Sequence, residues 1–151
     1  MPNPAGNYDA YKKVSVETAS QGKLVYMLFN SAIQRSEEAR DQIPNRNYAR
    51  VHENLIRAQA IIQELRRALN TDMGEIPREL DRLYEYFEHL LIQGNIRKDP
   101  KPIEECVELM TQMRDTWKEA FAIAEREHAP SSRQSASSPP LGNHAAVSFE
   151  G

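Results

Sequence analysis

VHENLIRAQAIIQELRRAL, residues 51–69, sets Val51, Leu55, Ala58, Ile62, Leu65 and Leu69 at alternating steps of four and three residues. Only an α-helix brings positions so spaced onto one stripe, so the stretch predicts a helix packed along a single apolar seam. Toward the N-terminus, Pro44 and Asn45 break the pattern. Before them, residues 20–43 carry Leu24, Val25, Leu28, Ala32 and Ala39 as a first helix, with Thr18 or Ser20 available as its cap. Beyond residue 69, residues 70–74 supply a polar stop ending in Gly74, and Pro77 suits the first turn of a third helix with seam Ile76, Leu80, Leu83, Phe87 and Leu90. Gly94 and Asn95 are expected to end it. After RKDPKP, a fourth helix carries the longest seam, Ile103, Cys106, Met110, Met113, Trp117, Ala120 and Ala124.

Short connections force successive helices to run antiparallel. The expected fold is therefore all-α, an antiparallel up-down-up-down four-helix bundle over residues 20–128. Residues 1–19, with two prolines and a glycine and then YKKVSVETAS, lack a helical period and read as an extended N-terminal arm capping the bundle. Residues 129–151, APSSRQSASSPPLGNHAAVSFEG, carry too little apolar content to offset chain entropy and read as a disordered C-terminal tail in which Phe149 is exposed.

Charge and composition exclude several functions. The 19 basic and 22 acidic residues are interspersed, with no basic run to neutralise a phosphate backbone, so no nucleic-acid partner is expected. No apolar run reaches the roughly 20 residues that span a bilayer, and MPNPAGNYDAY lacks a signal peptide's basic start and apolar core; no membrane insertion and a cytoplasmic location are expected. A single cysteine, Cys106, rules out an intramolecular disulfide and any multi-cysteine metal cage. It sits in a seam and reads as a small core residue, as Trp117 reads as a large core anchor.

Chemistry finds little support. A di-iron bundle needs two Glu-x-x-His pairs, and only Glu125 with His128 has that spacing. A histidine phosphotransfer bundle would present one exposed histidine, but His52 and His89 both lack the nearby lysine that holds a phosphoryl group and read as surface histidines. No nucleophile arrangement and no glycine-rich phosphate loop is present, so neither catalysis, cofactor nor metal is expected.

More apolar residues are present than the seams need. LVYMLF, residues 24–29, is apolar around the whole helix axis, and Tyr8, Tyr11, Val14 and Val16 of the arm are the nearest candidates to cover it. Ile56 and Ile61, Tyr84 and Leu91, and Val107 and Phe121 flank the other three seams. Flanks repeated on three helices are the makings of grooves that receive an amphipathic helix from a partner.

Six ordered motifs over residues 7–124 resemble the FliS family of flagellar export chaperones. NYDAYKKVSVETAS is similar to that family's aromatic arm and helix start, LVYMLFNSAI to its first helix, NLIRAQAIIQEL to its second-helix signature and LYEYF to its third-helix motif. GNIRKD and RDTWKEA, with Trp117, complete the series. The sequence departs from the family pattern at Gln21, commonly proline, at Asn30 and Ser31, commonly Asp-Gly, and in the tail. The resemblance implies a cytoplasmic four-helix chaperone, without enzymatic activity or cofactor, whose partner is the C-terminal segment of flagellin wrapped around the bundle as helices. It implies delivery to the membrane protein of the flagellar export gate, with Tyr8 and Tyr11 taking part in docking there, and leaves room for a co-chaperone. The residues themselves leave open a general helical adaptor for another secretion substrate.

Overall fold

A computed structural model describes the backbone of residues 4–127 and the side chains of residues 21–127. Its elements are α1 (Pro4–Gln42), α2 (Tyr48–Arg67), a short 3-10 turn (Thr71–Met73), α3 (Glu75–Arg97) and α4 (Pro100–Glu127). Each helix packs against its chain neighbours and α4 closes back onto α1, so the four form a ring around one core. The antiparallel up-down-up-down bundle is the expected fold, and no strand occurs among the described residues.

The sequence that predicts α2 also predicts its buried face. Val51, Leu55, Ala58, Ile62 and Leu65 are buried, and Leu69 packs on the rim of the core. Facing them are Phe29, Ala32, Ile33 and Ala39 of α1, Tyr84, Phe87, Leu90 and Leu91 of α3, and Ile103, Cys106, Val107 and Met110 of α4. Tyr84 joins the layers, edge-on to Phe29 and stacked on Phe87 with both centroid distances 5.8 Å. Ser36, buried on α1, donates its hydroxyl to the carbonyl of Ala32 at 2.8 Å, which removes the cost of burying an unpaired polar group. Cys106 is the core residue expected, and burial pushes its thiol far above the ordinary range.

Two boundaries differ from expectation. The stretch expected as an extended arm has helical backbone from Pro4 onward. No proline separates Pro4 from Pro44, so nothing interrupts the hydrogen-bond ladder, and Thr18 and Ser20 lie inside α1 instead of capping it. The second difference is the end of α3. The helix continues through Gly94 and Asn95 to Arg97, and Lys98 stops it in the left-handed conformation, φ 51°. The Asp99 amide then donates to the Gly94 carbonyl at 3.1 Å. Gly94 is needed for packing, because a Cβ there would lie 2.5 Å from Cγ1 of Ile103 on α4. α4 opens with Pro100, and the Lys101 amide donates to the Asp99 carboxylate at 3.0 Å, satisfying a free first-turn donor.

The fully buried core does not extend along the whole bundle. Toward the end that carries the α2–α3 connection, Val25, Leu28, Leu80, Leu83, Met113 and Trp117 are only partly buried, and the expected seam members Ile76 and Ala120 are exposed. The expected tail, residues 129–151, lies outside the described residues, as do the side chains of Tyr8, Tyr11, Val14 and Val16.

Candidate partner-binding surface

The outer surface between α2 and α3 is built on a polar lattice. Near the end of α2, Arg66 grips Asp81 of α3 with two donors, Nε to Oδ1 at 2.8 Å and Nη2 to Oδ2 at 3.2 Å, and sends Nη1 to Glu88 at 3.2 Å. The Arg66 hydrogen bond holds the Asp81 carboxyl below the usual carboxylate range, and the same contact raises Arg66. At the other end, Lys98 Nζ donates to the Asn95 carbonyl at 2.7 Å and to Asn95 Oδ1 at 2.8 Å. With Oδ1 so engaged, Asn95 Nδ2 faces Nδ1 of His52 on α2 at 2.9 Å and donates to it. Lys98 Nζ also lies 6.0 Å from the centre of the Tyr48 ring. These contacts fix the register of α2 against α3 along most of their length.

Above that lattice stand apolar side chains that the core does not use. Tyr48, His52 and Ile56 succeed one another at single-turn spacing on α2, and Ile92 and Ile96 do so on α3. Because His52 meets Asn95, the two rows face across one trough. Tyr48, Ile56, Ile92 and Ile96 are all exposed, and the exposed alanines Ala49 and Ala60 flank the α2 row. A shallow apolar trough walled by two helices and bordered by charged groups suits the apolar stripe of a third helix.

The expected groove residues are not brought together. Ile56 lies in the α2–α3 trough, while Ile61 is half-buried and packs against the core. Tyr84, Leu91 and Val107, expected on groove flanks, are inside the bundle, because a ring of four helices buries more than one stripe on each member. Phe121 is half-buried on the α1–α4 seam, stacked on Trp117 at 5.2 Å and lying so close to Gly22 that a Cβ there would meet its ring at 2.7 Å. Trp117 donates its indole N–H to the Tyr84 hydroxyl at 3.1 Å, and burial raises that hydroxyl's pKa. Tyr48, Ile92 and Ile96 escaped the sequence reading. Their signal was there, in the apolar pair Ile92 and Ile96, four residues apart outside the α3 seam, and in Tyr48, eight residues before Ile56 on the same face of α2.

The remaining faces are more polar. On the α3–α4 side an open hollow of about 530 Å³ is lined by His89, Gln93, Arg97, Lys101, Glu105 and their neighbours, and Tyr86 stacks on His89 while donating its hydroxyl to Glu105. On the α1–α4 side Arg114 donates to Asn30 at 2.7 Å, and Arg114 and Lys118 both approach the Tyr26 ring. No group of three or more histidine, cysteine or acidic side chains among the described residues could hold a metal ion, and no described helix is long and apolar enough to cross a membrane.

Comparison with known proteins gives a consistent result. The family model described as Flagellar protein FliS matches residues 4–124. The chain is similar to the flagellar secretion chaperone FliS of Bacillus subtilis (strain 168), 39% identical over 114 residues, 76% of this chain and 85% of that protein. It is similar to the protein of the same name from Vibrio cholerae, 33% identical over 117 residues, 74% of this chain and 86% of that protein. The Salmonella typhimurium protein of that name is 34% identical over 121 residues, 76% of this chain and 90% of its own length.

Proposed function

Because this chain belongs to the flagellar protein FliS family, a family of secretion chaperones and not of enzymes, we propose that it is a cytoplasmic chaperone of flagellin. In this reading it holds the C-terminal segment of flagellin as helices laid on the bundle, prevents premature polymerisation, and delivers the subunit to the membrane protein of the flagellar export gate. A subunit whose terminal helices pack together in a filament must have those helices covered until export. The observation that carries the reading is the α2–α3 trough. Tyr48, Ile56, Ile92 and Ile96 keep apolar surface in water on two helices whose register is locked by Arg66, Asp81, Asn95 and His52. A preformed apolar surface loses little conformational entropy on binding. Ile61 and Phe121 extend the partner surface onto neighbouring seams, and Tyr8 and Tyr11 serve docking at the gate.

The reading is tested by mixing the protein with full-length flagellin and with flagellin lacking its last few dozen residues, and sizing the complexes by chromatography with light scattering. A one-to-one complex with the first and none with the second is expected. Equal complex formation with both would place recognition elsewhere on the substrate. Tyr8→Ala with Tyr11→Ala should leave flagellin binding intact and reduce motility; wild-type motility would remove the arm from the mechanism.

A further inference from the structure

The polar contacts between α2 and α3 fall on one line with a fixed spacing. His52 and Arg66 are fourteen residues apart on α2, and their partners Asn95 and Asp81 are fourteen apart on α3. Two antiparallel helices pinned at both ends keep one register between the pins. The residues midway, Gln59 and Glu88, each seven from either pin, therefore stand opposite one another. Ile56 and Ile92 lie about one turn away on the same outer surface. In the other direction an open hollow of about 360 Å³, lined by Gln63, Arg66, Arg67, Asp81 and Glu88, continues the trough.

This middle rung differs from the other two. Gln59 Nε2 and Glu88 Oε2 are buried, and neither has a hydrogen-bond partner among the described residues. Glu88 Oε1 accepts from Arg66, whose other donors are committed to Asp81, so the second carboxylate oxygen stays free. A buried donor without an acceptor, and a buried acceptor without a donor, both oppose folding, and an apolar residue of similar size at position 59 would remove the first of these costs. The terminal torsions of glutamine and glutamate are broad, so both free atoms can turn toward the trough at little expense.

A group that satisfies both must accept from Gln59 and donate to Glu88. A carboxamide does this at once, its oxygen taking the Gln59 hydrogen and its nitrogen giving one to the carboxylate. Lysine and arginine carry donors only, and an ionised carboxylate carries acceptors only. We propose that the segment lying in the α2–α3 trough carries an asparagine or glutamine about one helical turn beyond its last apolar anchor, and that Gln59 and Glu88 read its carboxamide. The proposal rests on the trough being the surface that binds flagellin, and it adds what that surface selects. Tyr48, Ile56, Ile92 and Ile96 offer area, whereas the rung fixes the occupant's register and disfavours an apolar stripe with nothing polar at that level, because both protein groups then stay unpaired.

A double-mutant cycle across the interface tests it. A peptide spanning the C-terminal segment of flagellin is made with each asparagine, glutamine, serine and threonine replaced by alanine in turn, and each version is titrated calorimetrically into the parent protein and into Gln59→Leu. One asparagine or glutamine replacement should weaken binding to the parent by about tenfold and change nothing further in Gln59→Leu. Without peptide, the urea midpoint of Gln59→Leu should equal or exceed that of the parent, because no bond within the bundle is lost and leucine is a good helix former. A lower midpoint would show the Gln59 amide already bonded inside the bundle and would overturn the proposal. So would additive effects at every asparagine and glutamine, or coupling confined to serine or threonine. A parent protein that binds no peptide would overturn the flagellin reading and this proposal together, an outcome distinct from binding without coupling.

Discussion

Replacing Ile56, Ile92 and Ile96 together by alanine should strip the α2–α3 trough of most of its binding energy. These side chains are 45, 39 and 72% exposed, so about one and a half isoleucine side chains remain to be buried by a partner. At about 1.5–3 kcal/mol for complete burial of such a side chain, and with alanine keeping only the first carbon, the expected loss is about 2–4 kcal/mol. That corresponds to a dissociation constant weaker by roughly 30- to 1,000-fold. The bundle should survive, because the three residues stand on outer faces and alanine is a better helix former than isoleucine. The assay is fluorescence anisotropy of a labelled peptide carrying the flagellin C-terminal segment, with far-ultraviolet circular dichroism to verify helix content. A folded triple variant that binds the peptide as tightly as the parent would refute the assignment of the trough.

Three further outcomes follow from the packing and electrostatics. Gly94→Ala sets a Cβ 2.5 Å from Cγ1 of fully buried Ile103, and an overpacking cost of about 1–3 kcal/mol, partly offset by alanine's better helix propensity, should lower the urea midpoint; an unchanged midpoint would show that Ile103 yields freely. Because Arg66 lowers the folded-state pKa of Asp81, the pair contributes stability fully above the unfolded carboxylate value near pH 4, and that contribution is lost as pH falls through the folded value. Asp81→Asn should therefore destabilise the protein at pH 7 and converge with the parent near pH 2 in thermal melts; a constant difference across that range would contradict the ion pair. Cys106, buried and with its thiol pKa raised far above the ordinary range, should resist alkylation in the native protein and react only as denaturant opens the bundle, and rapid native labelling followed by mass spectrometry would contradict its placement.

The fold was legible wherever one residue pattern had one physical solution. The four-three spacing from Val51 to Leu65 admits only a buried helical stripe, and Pro44 admits only an interruption. Gly94 was ambiguous: the same glycine can end a helix or let a neighbouring helix approach, and contact with Ile103 decides for the second. The start of α1 was hidden because the arm's weak apolar period said nothing of its unbroken backbone ladder. The α2–α3 trough was legible only at Ile56. Tyr84, Leu91 and Val107 differ from surface flanks by where neighbouring helices lie, a property of the assembled ring and not of any one helix. Ile92 and Ile96 gain meaning only once the His52–Asn95 bond brings α2 and α3 face to face.

The proposed function requires that this bundle bind the C-terminal segment of flagellin by burying apolar surface. Its most direct test is titration calorimetry of the intact protein against a peptide of that segment from the same organism, run at several temperatures. Saturable one-to-one binding with a negative heat-capacity change is predicted. No heat of binding from a protein shown to be folded in the same buffer would contradict the claim.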